Sequence, residues 1–230
     1  LTDTRTLATE LIADTISQGA SSVGGDRPKV IVHGSHDGSR VDLICKFSPD
    51  WSSTIGRRWH NILVMESLAS HTLGLGGVLA SDTTLDSLPN VRRTLLSVTR
   101  FDRTLQGGRV GTGTLSWLAA ERDQAERTGP QVMRSLAEDG LVDETSALLC
   151  DRVHAFSQAI GNNDAHLGNY GLIFDAGGKA SLAPIYDVSP MIFAPKFDAH
   201  GLIVCVTVEA ATRDVLMVAY MNRLALDKTI

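Results

Sequence analysis

The stretch from residue 149 to 187 constrains the fold most. Leu149, Val153, Phe156 and Ile160 recur at three- and four-residue spacing, the apolar stripe of a helix with one buried face, and Gly161 closes it. "NNDAHLGN" follows, a polar run beside an apolar stretch. "YGLIFDAGGKASLAPIYD" then reads as two short strands turning around Gly177 and Gly178. The polar run is therefore a loop held between a long helix and a hairpin, with Asp187 just past that hairpin.

The rest of the chain supplies a mixed frame. In "LATELIADTISQG", Leu7, Leu11, Ile12 and Ile16 share a helical face that Gly19 ends. "GASSVGGDRPK" is a Ser/Gly-rich turn, and "VIVHGSHDGSRVDLICKF" predicts a hairpin around Asp37 and Gly38. "RRWHNILVMESLASHTLGL" returns to helical spacing through Trp59, Leu63, Glu66 and Leu68 and closes near Gly74, and "TLLSVTRF" is a further strand. Helices dominate from "LSWLAAERDQAERTG" onward, so the fold class is α+β. No internal repeat or long linker interrupts it.

Composition narrows the functions. The formal charge of −5 excludes a globally basic nucleic-acid binder, though a local basic cleft for phosphates remains compatible with it. Cys45, Cys150 and Cys205 are far apart and lack C-x-x-C spacing, which argues against a disulfide framework or zinc knuckle and for a reducing cytoplasm. No apolar run reaches the roughly 18 residues of a membrane span, and "LTDTRTLATELIADT" lacks the layout of a secretion signal. A start at Leu1 suggests a cropped or processed N-terminus.

The acids carry the chemistry. Asp164 and Asn169 stand five positions apart, and Asp187 follows the hairpin. Phosphoryl transfer from ATP needs an acid to orient a hydroxyl and take its proton, together with oxygen ligands for the magnesium that bridges the phosphates. An Asp, an Asn five residues later and a second Asp after a hairpin meet that need. A plain polar turn, in which Asn162, Asn163 and Asp164 accept backbone donors, suits the first part of the pattern too. Upstream, Gly24 and Gly25 would let the backbone of "SSVGGDRPK" approach phosphates closely. Lys46 sits within an apolar strand, where an ammonium needs a partner, an anionic ligand or an outlet to water. Glu66 on the next helix is a candidate partner, and a solvated helix face is the alternative.

"SSVGGDRPK", "ICKF", "RFDR" at residues 100–103, "NNDAHLGN" and "LAPIYDVSPM" occur in the order of the HipA-type serine/threonine kinases, toxins of toxin–antitoxin modules, and "GRRWHNILVMESLA" resembles their YjjJ branch. The resemblance covers about residues 7–195. It implies a protein-kinase-like two-lobe fold: an N-lobe over 1–103, a hinge at 100–103, and a helical C-lobe over 104–195 that is incomplete. By motif position it makes Asp164 the catalytic base and His166 the D-x-H histidine that holds the catalytic loop. Asn169 and Asp187 become the magnesium ligands. Ser21, Ser22, Val23, Gly24, Gly25, Lys29, Lys46, Arg100 and Phe101 become the ATP-binding set. Ser22 matches a loop serine whose autophosphorylation silences the kinase. The implied cofactors are ATP and Mg2+. The implied partners are a protein substrate, with aminoacyl-tRNA synthetases as family precedent, and a HipB-like helix-turn-helix antitoxin through which alone DNA is met; no membrane is implied.

Two features depart from that pattern. Almost nothing precedes the Gly-rich loop, where HipA proteins carry a small subdomain. Residues 196–230, "KFDAHGLIVCVTVEAATRDVLMVAYMNRLALDKTI", resemble instead the N-terminal part of phosphoribosyl-AMP cyclohydrolase, without its later metal-ligand motifs. A fusion or other junction near Pro195 is the expectation. A nucleotide- or antitoxin-binding remnant without turnover, and a cyclohydrolase fragment of histidine biosynthesis, stand as the alternative functions.

Overall fold

The computed structural model describes residues 29–36, 39–194, 202–209, 211–212 and 215–222. The helix expected over 7–19, the Gly-rich loop and the tip at Asp37 and Gly38 lie outside them. β1 (Lys29–His36) and β2 (Ser39–Phe47) form the expected hairpin, with Ile31 opposite Ile44 and Lys29 opposite Lys46. β3 (Thr83–Leu88) and β4 (Arg93–Thr99) complete an antiparallel sheet of order β1-β2-β4-β3. "TLLSVTRF" thus forms its strand, and β3, whose "TTLDSL" carries little apolar alternation, joins it.

The connecting helix α1 (Thr54–Leu75) covers this sheet. Ser53 caps it, its Oγ accepting from the Gly56 amide at 2.9 Å. Ile55, Ile62, Leu63, Ala69 and Leu73 form its buried stripe, and Leu63 packs with Leu96 and Val98 of β4. Burying a side chain such as Leu63 or Leu96 contributes about 1.5–3 kcal/mol. Glu66 lies on that same stripe, a carboxylate where the helical period calls for an apolar residue.

The second half is built from α2 (Leu115–Glu121), α3 (Gly129–Glu138) and α4 (Glu144–Ala159) around a three-stranded sheet of β5 (Thr112–Thr114), β6 (Gly171–Phe174) and β7 (Ala180–Leu182), ordered β5-β6-β7. Leu115, Val132, Met133, Leu136, Cys150, Val153 and Leu172 fill its core, which Leu73 of α1 and Val78 just past that helix join. A short parallel bridge from Ala80 to Ile185 stitches the halves, with the Ser81 amide on the Ile185 carbonyl at 2.8 Å and the Ile185 amide on Leu79 at 2.9 Å. Ile185 is two residues before Asp187, so this stitch sets where Asp187 stands relative to the first sheet. β8 (Leu202–Val208) and β9 (Val215–Asn222) pair antiparallel as a separate two-stranded sheet. Among the described residues no helix is long and apolar enough to cross a membrane.

Candidate active site

Lys46 is the meeting point of the two halves. Its Nζ donates to Glu66 Oε1 at 2.6 Å and to Asp187 Oδ1 at 2.6 Å. The Lys46 side chain is 14% exposed, Glu66 3% and Asp187 39%, so the lysine is desolvated on the Glu66 side and meets water near Asp187. Burial alone pushes the ammonium pKa down, but the charges of Glu66 and Asp187 outweigh it and hold the value above that of an ordinary lysine. Glu66 therefore offsets a buried charge rather than lying on a solvated face.

Asp187 takes a backbone conformation that L-residues avoid, with φ of 58°. Such a residue costs about 1–2 kcal/mol and persists only where its surroundings hold it. The preceding Tyr186 supplies that hold: its hydroxyl donates to the Gly168 carbonyl at 3.1 Å, and its ring lies 5.7 Å from that of Phe101. Burial, first, and the nearby Asp187 and Asp102 charges raise the Tyr186 pKa, so its hydroxyl keeps the proton it donates.

The polar loop is ordered by its own side chains. Asn162 Oδ1 accepts from the Asp164 amide at 3.1 Å, and His166 Nδ1 accepts from the Gly168 amide at 3.1 Å. Asn169 Nδ2 donates to the Asp164 carbonyl at 2.9 Å. That last bond fixes which end of the amide faces inward and leaves Asn169 Oδ1, an oxygen acceptor, for another partner. Asp164 itself is exposed. The turn-forming and the chemical readings of this loop thus hold together: the amide and imidazole bonds shape it, and Asp164 is presented to solvent.

A cavity of about 650 Å³ opens between the halves, lined by Lys46 and Asp187 and by residues 99–102. Ile44 and Val98, paired across β2 and β4, form an apolar wall, and Phe101, Tyr186 and the exposed Trp117 add aromatic surface. Lys29 and Arg100 also line it. The Arg100 guanidinium is engaged with Asp102, at 2.8 and 2.6 Å, and holds that carboxyl below the usual carboxylate range. Of the residues singled out in the sequence, the structure gathers Lys29, Lys46, Arg100, Phe101 and Asp187 around the cavity. Asp164, His166 and Asn169 share the loop bonded to Tyr186, and Ser21, Ser22, Val23, Gly24 and Gly25 lie outside the described residues. The sequence reading passed over Tyr186, Asp102, Trp117 and Ser81; adjacency to Asp187 and membership of "RFDR" were the available signals for the first two.

A cavity with aromatic and aliphatic lining that also holds a buried lysine between two carboxylates suits a kinase-like fold. The sequence model of the HipA-like C-terminal domain family matches residues 21–227, and the chain belongs to that family. That match runs past Pro195, where the sequence reading ended the kinase-like part. Toxin YjjJ of Escherichia coli K12 is 31% identical over 195 residues, covering 85% of this chain and 43% of that protein. Among solved structures, HipA of the Shewanella oneidensis MR-1 toxin–antitoxin system, in complex with HipB and operator DNA, is similar with a TM-score of 0.56 at 18% identity. The similarity covers 80% of this chain and 50% of that one. A short stretch is also 53% identical over 55 residues to phosphoribosyl-AMP cyclohydrolase of Rhodopseudomonas palustris BisA53, covering 24% of this chain and 37% of that enzyme. The chain spans half or less of the length of each of these relatives.

Proposed function

We propose that this chain is the kinase part of a HipA-like toxin, transferring the γ-phosphate of ATP to a serine or threonine hydroxyl of a protein in the cytoplasm. The observation that carries the reading is Lys46 held at 2.6 Å from both Glu66 and Asp187 in the lining of a nucleotide-sized cavity. An ammonium fixed by Glu66 on one side presents its remaining charge toward Asp187, where a phosphate oxygen would take a share of it. Asn169 Oδ1 and the Asp187 carboxylate are hard oxygen donors that suit magnesium, which when bound supplies charge neutralisation on the phosphates. Asp164, exposed at the loop tip, accepts the proton of the attacking hydroxyl. His166 keeps the loop in shape by accepting from Gly168. Phe101 and its backbone, with Ile44 and Val98, flank the base. Ser21, Ser22, Val23, Gly24 and Gly25 are assigned to the phosphates on sequence grounds, as is silencing by phosphorylation of Ser22.

The Shewanella protein's complex with HipB and operator DNA supports a helix-turn-helix antitoxin as partner here too, with DNA reached through that antitoxin. An aminoacyl-tRNA synthetase is the substrate that family precedent favours. The test is phosphate transfer from labelled ATP with magnesium, comparing the wild-type chain with Lys46→Met and Asp164→Asn. Transfer by the wild type alone supports the kinase. Nucleotide binding without transfer in any variant supports the non-catalytic reading, and absence of nucleotide binding overturns both.

A further inference from the structure

Ser81 lines the same cavity, and nothing in the sequence pointed to it. It is 6% exposed, and its Oγ is buried with no hydrogen-bond partner among the described residues. Its amide donates to the Ile185 carbonyl across the stitch between the halves, and the carbonyl of the next residue, Asp82, accepts from the Thr99 amide of β4 at 2.9 Å. Ser81 thus lines the cavity together with Ile44, Val98, Lys46 and residues 99–102. A desolvated hydroxyl without a partner is unfavourable, and a serine has one side-chain bond to rotate, with three staggered positions for Oγ. A polar ligand atom in the cavity would satisfy it, whereas its apolar neighbours Ile44 and Val98 cannot.

We propose that Ser81 is a specificity-determining residue that hydrogen-bonds the polar edge of a bound purine, the edge that carries the C6 substituent and N7. The proposal rests on the nucleotide reading of the cavity. With the triphosphate at Lys46 and Asp187, the sugar on N9 lies toward that end and the six-membered ring toward residues 99–102. In that pose the buried Ser81 hydroxyl of the lining is offered to the ring edge turned away from solvent. A hydroxyl both donates and accepts, so it serves an amino group and a ring nitrogen alike. No side chain among the described residues bonds that hydroxyl, so a base lacking those groups leaves it stranded again.

The experiment measures binding of ATP, of the triphosphate of purine riboside, which lacks the 6-amino group, and of 7-deaza-ATP, to wild-type chain and Ser81→Ala. Loss of one buried hydrogen bond to a ligand weakens binding about five- to twentyfold. Ser81→Ala should lose that factor for ATP and lose nothing further for whichever analogue lacks the contacted group. The ligand-free variant should melt at or above the wild-type temperature, because an unsatisfied buried hydroxyl has been removed. Equal effects on all three nucleotides, or no effect on any, overturn the proposal. So does a ligand-free Ser81→Ala that melts lower or fails to fold, since the hydroxyl then has a structural partner. Failure of the wild type to bind any of the three would instead strike at the nucleotide reading itself.

Discussion

Glu66 and Asp187 stand at the same 2.6 Å from Lys46 but differ in burial, 3% against 39% side-chain exposure, and that difference makes a sharp prediction. Two unit charges 2.6 Å apart attract by about 6 kcal/mol at an effective dielectric constant of about 20. Desolvation offsets much of this, and for Glu66→Gln we expect a net loss of about 2–4 kcal/mol. At about 2–4 °C per kcal/mol for a chain of this size, that is a fall in Tm of about 5–15 °C. Asp187→Asn, at a solvated partner, should cost no more than about 1 kcal/mol. Lys46→Met removes the ammonium that balances the buried Glu66 charge and should cost about 3–5 kcal/mol, while Lys46→Met combined with Glu66→Gln should be milder than Lys46→Met alone. The pKa of Lys46 is raised, so its contribution is fully present below the unfolded value of about 10.4 and fades only as pH climbs past the folded one. The Glu66→Gln penalty should therefore be the same at about pH 7 and pH 9. Urea titrations of the four variants measure all of this. Additive effects of Lys46→Met and Glu66→Gln, or an Asp187→Asn penalty as large as that of Glu66→Gln, would refute the argument from burial.

Other sites give independent checks. At Gly56 a Cβ would lie 1.8 Å from the Asp50 carbonyl oxygen, so Gly56→Ala should cost about 1–3 kcal/mol by forcing the cap of α1 apart; Gly74→Ala, which meets nothing within 4 Å, should stabilise by about 0.5–1 kcal/mol in the same denaturation assay. Asp164→Asn should lower the transfer rate by about a hundredfold or more and spare ATP–magnesium affinity, and Asp187→Asn should lose affinity as well, as isothermal titration would read. The carboxyl of Asp50, held down to about 2 by the Ser52 amide and Arg92, contributes stability above the unfolded carboxylate value that should vanish as pH falls from about 4 toward 2, so Asp50→Asn and wild type should converge in acid melts. Deletion after Pro195 should leave nucleotide-induced stabilisation nearly unchanged and reduce aggregation; loss of folding would make β8 and β9 an integral part of the domain.

What could be read from the sequence was whatever repeats with a local period. The hairpins around residues 37–38 and 177–178, α1 and α4 each announce themselves through turn residues and apolar spacing. β3 and β5 did not, because "TTLDSL" and "TGT" owe their strand state to partners: β3 to the buried β4, β5 to the edge of β6. The same holds in the site. The order Asp164, Asn169, Asp187 was legible as spacing, whereas the partner of Lys46 stayed open between Glu66 and solvent until the burial of α1 settled it, since one turn of helix decides which face a carboxylate takes.

Asp187 and Ser81 mark where such reading stops. Neither the positive φ of Asp187 nor the orphaned hydroxyl of Ser81 has a sequence signature, because both arise where chain segments about a hundred residues apart meet, at the Ile185 bridge. That bridge ties together two stretches of the cavity's lining, one carrying Ser81 and the other Asp187. A ligand that engaged both Ser81 and Asp187 would therefore bear on a single backbone connection. A local rule broken twice on either side of one bridge is what a binding site held by tertiary structure looks like, and it argues that the cavity rather than the polar loop alone is the part of this chain under functional constraint.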